Sequence, residues 1–242
     1  MNRETRRARR KKRYLYVLLF LLLLLTYLLH RQITRSVFAP LLEGVYYHVP
    51  TKDKACTLSF EVVWGPGKTA EILDILDRYN VRATFFVNGN WLRRYADMAA
   101  EIINRGHELG QHGYEHKILT ELNDEELEQD FDLMAEALRE ELQLETRLFR
   151  PPYGELDQRV FDAAQKRGLI TVIWSINAND WLGLSYSETK AKIMRELHKG
   201  AIIMMHTHSS QIVRMLPVLI ESLRSAEYEI LTFSELRQRE IK

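Results

Sequence analysis

The sequence predicts an α/β domain of parallel strands joined by helices, set behind one N-terminal transmembrane helix. Three observations predict it. Segments of β type and α type alternate with short turns from about residue 55 to the C-terminus, an uncharged apolar run lies within the first 30 residues, and the charge balance changes sharply behind that run. Seven strands with six intervening helices fit a barrel or an open doubly wound sheet. Both place function at the carboxyl ends of the strands.

Residues 1–13 form a basic tail with eight Lys or Arg against Glu4, and the uncharged run 14–29 follows at once. As a helix these 16 residues span about 24 Å, a little short of a ~30 Å hydrocarbon core. Arg13 and Arg31 can snorkel, and Tyr14, Tyr16 and Tyr27 suit the interface. The run is slightly long for a cleaved signal peptide, and the small-residue site Val37-Phe38-Ala39 is followed by Pro40. The expectation is an uncleaved signal-anchor over 14–30. The positive-inside rule then keeps the tail in the cytoplasm and places the rest outside, as a single-pass protein of the cell membrane.

Residues 31–54, interrupted by Pro40, Gly44 and Pro50, read as a stalk and lead-in, and 55–242 as one domain. The whole chain holds 34 basic and 33 acidic residues, but residues 14–242 carry 26 and 32, a net charge of −6. That acidity argues against nucleic acid as a partner, because phosphate binding needs a concentrated Lys/Arg face. The single cysteine, Cys56, permits no internal disulfide, so an ordinary core must hold the domain; Cys56 itself reads as a small core residue in a strand.

Strands are expected over 56–61, 83–87, 108–111, 147–150, 170–175, 201–206 and 229–232, with helices near 69–79, 94–105, 124–142, 156–167, 187–198 and 211–225. The helix 124–142 is the best marked. Asn123 can cap it with Glu126 three residues on, and Leu127, Phe131, Met134 and Leu138 form one apolar stripe that reads as core.

If strand ends carry function, the residues after each strand should hold the chemistry. After the first stand Glu61 and then Trp64-Gly65. After the third stand His112 and His116, whose spacing suits two imidazoles on one cation but does not by itself select a metal over a solvated loop. After the fourth comes Arg150-Pro151-Pro152-Tyr153-Gly154; after the fifth, Asn177, Asp180 and Trp181; after the sixth, His206 and His208. Carboxylates, imidazoles and a guanidinium at one mouth are the inventory of metal-assisted hydrolysis. No Gly-x-Ser-x-Gly elbow supplies a nucleophile, Cys56 lies at the wrong end of its strand, and Gly65-Pro66-Gly67-Lys68-Thr69 lacks the gap of a phosphate loop.

These segments, in this order and over roughly residues 50 to 240, resemble the polysaccharide deacetylases of carbohydrate esterase family four, the NodB homology domain. The resemblance implies a distorted (β/α) barrel of about seven parallel strands and metal-dependent removal of acetyl groups from N-acetylated sugars. Residues 106–116 resemble the second motif, which would make His112 and His116 the metal-binding pair. Arg150-Pro151-Pro152-Tyr153 resembles the third, implying that Arg150 orients the catalytic carboxylate and that the Tyr153 N–H faces the oxyanion. Asp180-Trp181 falls in the fourth, with Asp180 tuning the acid and Trp181 walling the acetyl pocket. Met204-Met205-His206 stands where the family has Leu-x-His, which makes His206 the general acid. The branch it looks most similar to is the Gram-positive sporulation type.

The first motif departs from the pattern. Where the family has Thr-Phe-Asp-Asp-Gly, this chain reads Ser59-Phe60-Glu61-Val62-Val63-Trp64-Gly65. Glu61 replaces the Asp base and keeps a carboxylate displaced by about one methylene, while Val62 replaces an Asp metal ligand and binds nothing. The divalent metal, expected to be zinc, would therefore sit on a weakened site. Glu61, Asn177 or His208 could supply the missing ligand, and Gly113 stands where the family usually has Ser or Thr. The implied function is an envelope-tethered deacetylase acting on a cell-wall glycan such as peptidoglycan. The alternative is a catalytically impaired homologue that binds glycan or a protein partner through the same groove.

Overall fold

The computed structural model describes Tyr16 and residues 44–241. The expected tail, signal-anchor and most of the stalk lie outside the described residues; among those described, no helix is long and apolar enough to cross a membrane.

The elements run β1 (Val45–Tyr46), β2 (Ala55–Val62), α1 (Thr69–Arg78), β3 (Thr84–Val87), α2 (Gly89–Arg94), α3 (Ala96–Asn104), β4 (Glu108–Gln111), α4 (Asp124–Leu142) and β5 (Leu148–Phe149). Then follow α5 (Gln158–Lys166), β6 (Ile170–Val172), β7 (Ile176–Asn177), α6 (Tyr186–Glu196), β8 (Ala201–His206), α7 (Ile212–Ser225), β9 (Glu229–Leu231) and α8 (Phe233–Arg237). The strands form one parallel sheet in the order β1-β6-β5-β4-β3-β2-β8-β7, with β9 pairing β2. Its outer strands, β1 and β7, do not pair among the described residues, so the sheet is a curled partial barrel.

All seven expected strands are present, most of them apolar runs bounded by turn residues, with β4 (Glu-Leu-Gly-Gln) the exception. The two-residue strands β1 and β7 and the five-residue α8 escape a periodicity argument through brevity. The helix expected over 94–105 is α3, Ala96–Asn104; the short α2 before it is not among the expected helices, and Asn88 caps it by accepting the Trp91 N–H at 3.0 Å. The expected capping box of α4 is present, with Asn123 and Glu126 each accepting the other's N–H. Residues 45–54 belong to the barrel rather than to a stalk: β1 pairs β6, His48 bridges Ala201, and the Val49 N–H donates to Gly200 O at 2.9 Å.

Pleating of β2 sorts its side chains between two environments. Cys56, Leu58, Phe60 and Val62 join the layer packed beneath the helices, with Ile72, Leu76, Leu216 and Ile220. Ala55 packs on the other side with Phe86, Leu148 and Ile202, and Ser59 and Glu61 share its face by the same alternation. The lumen is tight at Gly110, where an added Cβ would lie 2.6 Å from a Phe86 ring carbon and 3.0 Å from Leu148 Cβ. Gly110→Ala is therefore expected to cost about 1–3 kcal/mol by overpacking, read as a lower urea midpoint with an unchanged slope.

Candidate active site

Parallel pairing of β2 with β8 aligns Glu61 with His206, so one carboxylate and one imidazole meet at the carboxyl ends of two neighbouring strands. Glu61 is 5% exposed. Its Oε2 lies 3.5 Å from His112 Nε2 and 3.5 Å from His206 Nε2, and its Oε1 lies 3.6 Å from Arg150 Nη1. These are ion-pair distances rather than hydrogen bonds; Glu61 Oε1, His112 Nε2 and Arg150 Nη1 have no hydrogen-bond partner. Burial alone would raise the Glu61 pKa, but His112, Arg150 and His206 outweigh it and hold the carboxyl at about 2, below the usual range.

Arg150 is fully buried and fixed on every side. Nε donates to Val172 O at 3.1 Å, Nη2 to Ser59 Oγ at 3.0 Å and Ile173 O at 2.8 Å, and the guanidinium lies 4.1 Å from the Phe86 ring centroid. Burial lowers its pKa to about 10, which leaves it charged at neutral pH. The expected role of Arg150, orienting the Glu61 carboxylate, is compatible with this geometry.

His206 is held by Asp180. Its Nδ1 lies 2.8 Å from Asp180 Oδ1, and its backbone N–H donates to Oδ2 at 3.0 Å. Burial would lower its pKa, but the bond to Asp180 and the charges of Asp180 and Glu61 prevail and raise it above 6.5. Both effects favour the imidazolium, the form that an acid requires.

His112 and His116 stand close, with ring centroids 4.9 Å apart. His112 Nδ1 is 2.7 Å from Arg150 O; because a carbonyl only accepts, Nδ1 carries hydrogen, and Nε2 is the nitrogen turned toward Glu61. Burial pushes the His116 pKa down to about 3, so it is neutral, and its Nδ1 is buried without a partner. Two adjacent imidazoles with orphaned buried nitrogens fit two ligands of a divalent cation. The set goes no further, since among the described residues no group of three or more His, Cys, Asp or Glu could hold a metal ion.

The expected place of Val62 needs correction. Its side chain lies in the layer under the helices, on the opposite face from Glu61, while Val63 lines the cavity at the mouth. Neither valine carries an atom that could bind a cation. That cavity, about 360 Å³, is also lined by Trp64, Trp174, Tyr153, Trp181, Asn177 and His208. Tyr153, at a left-handed φ of 61°, lays its ring 4.6 Å from that of His116, and Trp64 meets His116 edge-on at 5.8 Å. Asn177 lines the wall, and its Oδ1 accepts the Asn179 N–H at 2.8 Å. His208 is exposed, 5.2 Å from the His206 ring. Sequence reasoning passed over Val63, Trp174 and Ser59; Ser59 sits two residues before Glu61, where strand alternation points it to the same face.

A family model described as polysaccharide deacetylase matches residues 48–172. The chain is 30% identical to the uncharacterized protein YlxY of Bacillus subtilis over 211 residues, covering 86% of this chain and 66% of that protein, just under two thirds of its length. It is 30% identical to a peptidoglycan-N-acetylglucosamine deacetylase of Bacillus cereus, covering 79% of this chain and 92% of that one. The crystal structure of BA3943 from Bacillus anthracis, described as a carbohydrate esterase family four pseudoenzyme, superimposes with a TM-score of 0.77 at 26% identity, covering 81% of this chain and 69% of that one. A mutant of BA3943, described as having restored enzymatic activity, superimposes equally well.

The acid pair makes a pH-dependent prediction. Because the folded pKa of His206 is raised, the stability it contributes is fully present below about pH 6.5 and is lost as pH rises through the folded value. Asp180→Asn should lower the His206 midpoint in an NMR titration. The stability deficit of the variant should be largest below pH 6.5 and fade above the wild-type midpoint.

Proposed function

The chain belongs to the polysaccharide deacetylase family, and from that premise we propose that it is a membrane-anchored hydrolase removing N-acetyl groups from a cell-envelope glycan such as peptidoglycan. One observation carries the reading: the ionised Glu61 carboxylate sits 3.5 Å from both His112 and the Asp180-held His206, beside an aromatic-lined cavity. A base and an acid with opposed pKa shifts, on facing strand ends, are what amide hydrolysis needs.

His112 and His116 would hold the divalent cation. Bound there, it supplies Lewis acidity toward water and an amide carbonyl oxygen. Glu61, oriented by Arg150, accepts the proton of the attacking water through Oε2. The C–N bond then breaks as His206 Nε2 gives its proton to the departing amine, leaving acetate and a free amino sugar. Tyr153 offers its backbone N–H to the oxyanion, and Trp181 and Trp64 wall the acetyl group and sugar face. The anchor over 14–30 would keep this groove outside the membrane, against the wall.

A second reading, a homologue that binds glycan without cleaving it, is favoured by the two-ligand donor set. Acetate release from N-acetylglucosamine oligomers and from muropeptides, measured with the full chain and added Zn²⁺, separates the two. The deacetylase reading expects release that His206→Ala cuts by about 10²-fold or more. Glycan binding with no release supports the second reading, and neither binding nor release defeats both.

The placement of Val63 makes a sharper prediction. Val63→Asp should tighten Zn²⁺ binding by adding an anionic oxygen at the mouth, whereas Val62→Asp should destabilise the fold by about 3 kcal/mol or more through an unpaired charge in the helix-side layer. Isothermal titration and urea unfolding of both variants check this.

A further inference from the structure

The turn after β4 that carries His112 and His116 is irregular, and each of its exposed backbone bonds must be satisfied from outside. Gly113 and His116 both take left-handed φ, 69° and 61°. On one side the start of α2 serves the turn's carbonyls: Gly89 N–H donates to Gly113 O at 3.1 Å and Asn90 N–H to Tyr114 O at 3.0 Å. On the other side a single residue serves its N–H groups. Asp130, on α4 and 6% exposed, accepts the Tyr114 N–H on Oδ1 at 2.9 Å and the Glu115 N–H on Oδ2 at 3.4 Å.

A side chain at position 113 could not do this work. Its Cβ would fall 3.1 Å from Pro152 Cγ and 3.3 Å from Asp130 Oδ1, on a backbone conformation that L residues rarely adopt. A hydroxyl-bearing side chain, usual there in the resembling family, would press on Pro152 and Asp130, and here the acceptor comes from α4. Each oxygen of the one carboxylate meets one N–H, whereas an amide would turn an NH₂ donor toward one of the two. We propose that Asp130 is a positioning residue: it fixes the turn so that His112 and His116 converge, replacing the hydroxyl that Gly113 lacks.

The consequence for metal affinity rests on the reading that this histidine pair binds a divalent cation; the geometric role does not. In the full chain, Asp130→Asn is expected to weaken Zn²⁺ binding by about 10- to 100-fold in isothermal titration. It should also speed amide hydrogen exchange at residues 114 and 115. Asp132→Asn, on the same helix and bonded instead to Arg167 at 2.7 Å, should change neither. Asp130→Asn with wild-type exchange at both amides would overturn the proposal. If the wild-type chain binds no Zn²⁺, the metal reading fails, while exchange still judges the positioning role. Should the variant not fold, wild-type exchange suffices: residues 114 and 115 must be protected, and free-loop rates there defeat the inference.

Discussion

A guanidinium buried at the centre of a parallel sheet sets most of this domain's constraints. Arg150 carries a charge with no exposure to water, and desolvating it costs several kcal/mol unless partners are supplied. Its donors reach carbonyls of Val172 and Ile173, the hydroxyl of Ser59 and the carboxylate of Glu61, so one side chain ties the ends of three strands together. Glu61 is thereby a counter-ion before it is anything else. A carboxylate at position 61 has a reason to persist whether or not catalysis does.

That constraint explains why a glutamate works at this place. With Arg150 fixed, the longer side chain brings Oε2 to equal distances from His112 and His206. The same oxygen lies beside the imidazole proposed to hold a cation and the imidazole proposed to act as acid. Glu61 couples the two halves of the site electrostatically, which lowers its own pKa while helping to raise that of His206.

The metal half and the acid half are supported differently. Asp180 clamps His206 directly through ring and backbone. His112 is oriented by the carbonyl of Arg150, so the central guanidinium and the histidine share one residue's backbone and side chain. His116 has neither device; its turn is held from α2 and α4, and its ring rests against Tyr153. A sparse donor set makes that outer support matter more.

Much of this was legible in the chain. Apolar runs between turn residues marked most of the seven strands, and the Asn123 and Glu126 pair with its stripe marked α4, because local periodicity and capping depend only on neighbours. The order of Glu61, His112, Arg150, Asp180 and His206 at strand ends pointed to one mouth, since parallel strands bring their carboxyl ends to one side. Asp130 left a trace too: it interrupts the apolar stripe between Leu127 and Met134, where a carboxylate needs a buried partner. Tertiary structure alone decided that Val63 rather than Val62 faces the cavity, because strand register decides which face a residue takes. It alone decided that a side chain at Gly113 would crowd Pro152 and Asp130 and that, among the described residues, no third His, Cys, Asp or Glu completes the group expected to be weakened, because those facts depend on distances between residues far apart in the chain.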